Sequence, residues 1–241
     1  LDGSALKGSP KSHTGQKAFV LIVPSYNNEK WCRYNLKSIL QQKYSNFRVI
    51  YINDCSRDKT LDTVIEYIQS QIPEKSINYI SFNPLLLSSL EDTEAYFEHK
   101  EQENAFFTLI NNASRCGALA NQYRAIWSCD DNEIAVLIDG DDWLPNANVL
   151  SDLNQVYHER DIWMTHGSLV EYPSNIKAWS EAIPDELIEK NSIRNFKCPT
   201  HLRTFYSWVF KKIKVQDLLF ESDFFPMTGD MAFMFPLTEM C

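Results

Sequence analysis

The sequence predicts an α/β fold in which a central, mostly parallel sheet is flanked by helices and followed by a smaller region. Three observations carry that reading. Apolar, β-rich runs at residues 18–23, 47–52 and 77–82 are too short to be helices. Apolar residues between them recur at helical spacing, and two strand-then-helix units in succession favour parallel strands joined by crossovers. A further apolar run at 134–138 ends abruptly in Asp139, Gly140, Asp141 and Asp142.

The first strand covers 18–23 and is stopped by Pro24. A polar turn from Ser25 to Glu29 leads into a helix whose inward stripe is Leu36, Ile39 and Leu40. The second strand, 47–52, runs into Asn53, Asp54, Cys55 and Ser56, and Leu61, Val64, Ile65 and Ile68 mark the helix after it. The third strand is 77–82. Residues 83–112 read as an irregular insertion with a short helix, because three leucines give way to an acidic, polar stretch. A helix over 117–127 feeds the strand 134–138; Val149, Leu153 and Val156 mark another helix, and 162–165 a further strand. The Phe- and Met-rich segments around Phe205 to Phe210 and Phe224 to Phe235 read mainly as core.

Hydrophobic content of 44% and charged content of 23% fit a soluble globular protein. The net charge of -9 argues against a broad nucleic-acid surface. Six cysteines, Cys32, Cys55, Cys116, Cys129, Cys198 and Cys241, lack the close spacing of zinc or dithiol redox motifs and read as reduced, mostly buried thiols, with a disulfide as the alternative. No apolar stretch is long enough to be an integral membrane segment. Asn112-Ala113-Ser114 is a formal glycosylation acceptor. Residues 1–17 read as a cloning remnant or flexible leader. Localisation stays open between a cytoplasmic protein and an excised domain of a larger secretory-pathway or viral protein.

The chemistry concentrates at strand ends. Asp139, Asp141 and Asp142 directly follow an apolar strand, where open α/β sheets bind ligands. Such close carboxylates repel one another, and Mg²⁺ or Mn²⁺ bridging them to a diphosphate removes that repulsion. Gly140 lets the backbone turn tightly and approach a ligand without Cβ interference. The plain alternative is an acidic turn and helix cap before Pro145. Asp54, ending a neighbouring strand, can accept from a base N–H or cap a helix; Tyr26 can stack on a base while the backbone of Pro24 and Ser25 bonds its edge. Arg115, His201 and Arg203 are candidate cations for a diphosphate, whereas Lys211, Lys212 and Lys214 read as a solvated face.

Residues 23–29, 51–60 and 138–142, taken in order, closely resemble the family 2 glycosyltransferases with the Rossmann-like GT-A fold. That resemblance implies a single domain over 18–241, with 18–144 as the nucleotide-sugar-binding half and 145–241 as the acceptor-side half. It implies that Tyr26 faces a uracil ring, Asp54 holds its N3 position, and Asp139 lies beside the ribose. Asp141 becomes the foremost metal ligand, with Asp139, Asp142 and His201 as further ligands of Mn²⁺ or, alternatively, Mg²⁺. Asp230 matches the family's general base, although Gly229 stands where a second acid is usual. The expected reaction moves a hexose, glucose or galactose favoured, from a UDP-sugar to a glycan, protein or lipid hydroxyl, with inversion and metal-assisted UDP departure. A homo-oligomer is compatible with all of this. The alternatives are a sugar nucleotidyltransferase and a non-catalytic GT-A-derived module binding carbohydrate or protein. The Gly-rich dinucleotide fingerprint, the phosphate-binding loop, the His-Glu-x-x-His zinc motif and the Gly-x-Ser-x-Gly elbow are all absent.

Overall fold

The computed structural model describes residues 15–87, 89, 105–178, 181–196 and 199–241. In chain order they form β1 (Phe19–Ser25), α1 (Cys32–Leu40), β2 (Phe47–Asn53), α2 (Thr60–Gln71), β3 (Ile77–Phe82), β4 (Phe107–Asn112), α3 (Ala118–Trp127) and β5 (Ile134–Leu137). Then come α4 (Val149–Glu159), β6 (Met164–Thr165), α5 (Asp185–Glu189), β7 (Arg203–Tyr206), α6 (Ser207–Phe210), β8 (Leu219–Phe220), β9 (Asp223–Phe224) and α7 (Gly229–Met240). The main sheet has strand order β3-β4-β2-β1-β5-β7-β6, and β8 pairs with β9 separately. The strands from β3 to β5 run parallel, while β7 pairs antiparallel with both β5 and β6. This is the mixed, mostly parallel sheet that the sequence predicts.

Burial on both faces explains why β1, β2 and β5 are largely continuous apolar runs, whereas the edge strand β3 alternates. In β1, Val20 and Ile22 face a core completed by Leu119, Ala120 and Tyr123 of α3, Phe210 of α6 and Phe233 of α7. Phe19, Leu21 and Val23 face the opposite core with Leu36 and Ile39 of α1, Val64 and Ile68 of α2, and Leu150 of α4. Most of the late aromatic segment is core, as expected, but Met227 and Met231 are exposed. No helix among the described residues is long and apolar enough to cross a membrane.

The insertion read over 83–112 needs correction. Residues 90–104 lie outside the described residues, and Pro84–Leu86 form one short 3-10 turn. Residues 107–112, however, are a full strand inside the sheet, seated between β2 and β3. Two asparagines at its end gave it a loop-like composition, yet both are held: Asn53 donates to Asn111 at 2.7 Å, and Asn112 is only 2% exposed. Burial also removes Asn112 as a glycosylation acceptor, since its amide donates to Asp54 at 2.8 Å and Asn121 at 2.9 Å. The strand read over 162–165 shortens to β6. Lys17, read as leader, is anchored: its N–H donates to Asn154 at 2.9 Å, and its carbonyl accepts from Tyr44 at 2.6 Å. Cys32, Cys55, Cys116, Cys129 and Cys241 are free thiols, of which Cys32 and Cys129 are buried; Cys198 lies outside the described residues.

Candidate nucleotide and metal site

The carboxyl ends of β1, β2 and β5 lie side by side in the sheet order, which brings their loops together. The Asp54 N–H donates to the carbonyl of Ser25 at 2.8 Å and the Gly140 N–H to that of Pro24 at 3.1 Å. Pro24 and Ser25 thus tie the three loops to one another through carbonyls that the sequence reading aimed at a base edge. Ser25 Oγ also accepts from buried Tyr51 at 2.8 Å and from Asn28 at 3.1 Å.

Gly140 sits above those side chains. A Cβ there would come within 2.6 Å of both Asn28 Nδ2 and Ser25 Oγ and 2.7 Å of Ser25 Cβ. The close approach that requires glycine is therefore to the protein's own first loop, whereas the sequence reading expected it toward a ligand. The acidic turn is further held from α1: Asn35 Nδ2 donates to the carbonyls of Asp139 at 3.1 Å and Asp142 at 2.7 Å. Ser38 Oγ accepts from the Leu144 N–H at 3.0 Å, and Gln42 bonds Asn146 and Leu150. Asn35 and Ser38 share one face of α1 by their spacing, and Gln42 lies just past its C-terminal end. Sequence reading missed them because polar residues on an amphipathic helix look solvent-facing; Asn35 lying one position before the apolar Leu36 was the available signal.

Asp54 is 3% exposed and well satisfied. Its oxygens accept from Asn112 and the Cys116 N–H, both at 2.8 Å, and from the Gly117 N–H at 2.9 Å. The carboxylate therefore pins the start of α3, so the helix-capping alternative describes its bonds, on a distant helix rather than the one that follows it. A carboxylate has about four acceptor positions, and the three bonds present leave one for a ligand N–H. Beside it Tyr26 is half-buried, and the Arg115 guanidinium lies 4.1 Å from its ring centroid in a cation–π contact.

Asp139, Asp142 and His201 form a cluster whose ligand atoms all lie within 4.8 Å of one another. His201 Nε2 is 3.0 Å from Asp139 and 3.8 Å from Asp142. Asp141 is exposed and stands outside this group. Desolvation in the crevice raises the Asp139 carboxyl, but the His201 hydrogen bond and the charges of His201 and Arg203 outweigh it and hold it below its ordinary value. Desolvation raises the Asp142 carboxyl; His201 and Arg203 oppose this, Asp139 and Asp141 add to it, and the net shift is upward. Two carboxylates and an imidazole suit an ion such as Mn²⁺, which takes oxygen donors and tolerates nitrogen.

Arg203 is no free phosphate ligand. It is 6% exposed, and its nitrogens reach the Pro199 carbonyl at 3.3 Å, His201 Nε2 at 3.1 Å and Asp230 at 2.8 Å. It joins the metal-type cluster to Asp230, in the first turn of α7. Because guanidinium only donates, His201 Nε2 must choose between donating to Asp139 and accepting from Arg203. Gly229, beside Asp230, has no room to grow: a Cβ would meet Leu119 Cβ at 2.8 Å. Arg115, at the other end of the site, is exposed. Lys211 donates to the Cys129 carbonyl at 2.6 Å and to Asp131 at 2.8 Å, so it is not part of a simple solvated run.

Fold and site together define an open α/β protein whose polar groups gather beyond the carboxyl ends of its central strands. The model of glycosyl transferase family 2 matches residues 20–83. The poly(ribitol-phosphate) β-N-acetylglucosaminyltransferase TarS of Staphylococcus aureus is 41% identical over 51 residues, 20% of this chain and 9% of TarS. An uncharacterized glycosyltransferase of Rickettsia typhi is 35% identical over 57 residues, 24% of this chain and 18% of that protein. The crystal structure of S. aureus TarS 1–349 with UDP superposes with a TM-score of 0.57 at 17% identity, covering 90% of this chain and 54% of that one. A mannosyltransferase of Pyrobaculum calidifontis in complex with GDP-Man and Mn²⁺ gives 0.52 at 14% identity, covering 83% and 47%. The chain shares the GT-A fold of these solved structures, its family 2 match covers the first part of the chain, and it spans about half the length of the solved TarS structure.

Proposed function

We propose that this chain transfers a sugar from a UDP-sugar to an acceptor hydroxyl, with a divalent cation at Asp139, Asp142 and His201. The single observation that carries the reading is convergence: the loop carrying Tyr26, Asp54, the acidic turn and Asp230 are tied together by bonds through Pro24, Ser25, Gly140, His201 and Arg203. Tyr26 supplies a face for the uracil once Arg115 swings aside, and the remaining acceptor position of Asp54 takes the N3–H. When bound, the cation supplies neutralisation of the diphosphate leaving group. Asp230 receives the proton of the acceptor hydroxyl as its oxygen bonds the anomeric carbon and the bond to UDP breaks. A base on the face opposite the leaving group gives inversion. The bond from Arg203 orients Asp230 through one oxygen and leaves its second oxygen to take that proton.

TarS likeness makes N-acetylglucosamine the donor sugar to test first, ahead of the glucose and galactose that the sequence alone favours. Incubation with UDP-N-acetylglucosamine, UDP-glucose and UDP-galactose, with and without Mn²⁺, should release UDP from one of them in a Mn²⁺-dependent way. Substituting Asp230→Asn should then slow transfer by about 10²–10⁴-fold, the range for a lost general base, with UDP binding retained. Pyrophosphate release from a nucleoside triphosphate and a sugar phosphate, without UDP-sugar turnover, would refute the proposal in favour of a nucleotidyltransferase. The non-catalytic reading draws on Gly229 standing where a second acid is usual, and UDP-sugar binding without turnover would favour it.

A further inference from the structure

Beside the acidic turn lies an aromatic group that nothing in the donor chemistry uses. Trp31 precedes α1, Tyr34 lies within it, Trp143 directly follows Asp142, and Tyr172 sits on the loop closed by the Val170–Lys177 bridge. Trp31 and Trp143 are stacked with centroids 6.1 Å apart, Tyr34 lies 5.5 Å from Trp143, and Tyr172 meets Trp143 edge-on at 5.3 Å. Tyr34 is 56% exposed and Tyr172 65% exposed. Segments from three parts of the chain thus converge to hold large rings at the surface, where their exposure gains nothing for folding.

We propose that these four residues form the platform on which an uncharged glycan acceptor docks, its pyranose faces stacked on the rings. The inference rests on the glycosyltransferase reading and deepens it by naming an acceptor class. Three properties favour a neutral saccharide. None of the four side chains makes a hydrogen bond among the described residues, so two indole N–H and two phenol groups are available to sugar hydroxyls while the ring faces meet C–H surfaces. The platform is continuous with the proposed reaction centre, since Trp143 adjoins Asp142, and Asn35, next to Tyr34, holds the acidic turn. Asp139, Asp141 and Asp142 beside it, in a chain of net charge -9, repel a polyanionic acceptor.

The test uses an array carrying neutral oligosaccharides and a polyol-phosphate polymer, probed with the wild-type chain and with Tyr34→Ala, Tyr172→Ala and Tyr79→Ala. Both Tyr34 and Tyr172 are exposed enough for truncation to leave the fold intact, and Tyr79 is an exposed aromatic on the distant edge strand β3. Expected is wild-type capture of at least one neutral glycan, weakened about tenfold in each platform variant, the scale of one lost aromatic contact, and unchanged in Tyr79→Ala. Calorimetric UDP affinity should be the same in all four proteins. Lack of any neutral glycan bound by wild type, equal capture by the platform variants, capture of polyol phosphate alone, or a dimer that the substitutions dissociate would each overturn the proposal. Absence of UDP binding in wild type would instead strike the donor reading and leave the platform result to stand on its own.

Discussion

Gly140→Ala perturbs the acidic turn without touching a charged group, and its cost can be worked from geometry. The added methyl would lie 2.6 Å from Ser25 Oγ and Asn28 Nδ2 and 2.7 Å from Ser25 Cβ, against an ordinary contact above 3.4 Å. Asn28 can swing its amide away, but Ser25 Cβ is fixed to the buried end of β1, so the turn itself must move. Overpacking of this kind costs about 1–3 kcal/mol. For a chain of this size each kcal/mol lowers Tm by roughly 2–4 °C, so thermal unfolding followed by circular dichroism should show a fall of about 2–12 °C. Ser25→Gly removes two of the three obstructions but leaves the buried Tyr51 hydroxyl without its acceptor, a loss of about 1–3 kcal/mol. The double variant should therefore be less destabilised than the two single changes added together, by an interaction energy of about 1 kcal/mol. Displacement of the turn also separates Asp139 and Asp142 from His201, so Mn²⁺ affinity should drop in parallel. A Tm within 1 °C of wild type, about the error of the measurement, together with strict additivity, would refute the idea that the first loop dictates glycine at this position.

Truncating His201→Ala should weaken Mn²⁺ binding, read from free Mn²⁺ by electron paramagnetic resonance, by at least about tenfold, the scale of losing even an outer partner of a metal site; unchanged affinity would place the ion elsewhere. Because the Asp142 carboxyl is raised above its ordinary value and must be ionised to bind a cation, Mn²⁺ affinity should decline with falling pH before a normal carboxylate would begin to protonate. Partial burial raises the Asp58 carboxyl, but hydrogen bonds from Thr60 and the Glu29 N–H outweigh it and hold it below its ordinary 3.8. Its contribution is therefore complete above that value and lost as pH falls through the depressed one. Denaturant titration should accordingly show Asp58→Asn less stable by about 0.5–1 kcal/mol at neutral pH, a solvent-screened bond, with the gap closing as pH falls through the depressed value; a gap that persists in strong acid would contradict the assignment. Burial pushes the Cys129 thiol up to about 11, so a thiol reagent at neutral pH should modify Cys129 only at the rate of unfolding, measured by mass spectrometry.

The sequence by itself determined the alternation of strand and helix, because strands buried on both faces must be continuous apolar runs, as β1, β2 and β5 largely are, while β3 at the sheet edge alternates buried and exposed positions. It also located the acidic turn, since charged residues can follow such a strand only where the sheet ends. It did not disclose β4, whose terminal Asn111 and Asn112 look like loop residues until Asn53, Asp54 and Asn121 are seen to bond them. Nor could it reveal that α1 presents Asn35 and Ser38 to the turn with Gln42 just beyond its end, that Arg203 is bound to His201 and Asp230, or that four rings from three segments, Trp143 among them, meet beside the turn. Those facts depend on which loops the parallel strand order places next to one another. Local pattern reports how each segment buries its own surface, whereas polar partners distant in sequence are chosen only when the sheet closes and every buried donor must find its acceptor.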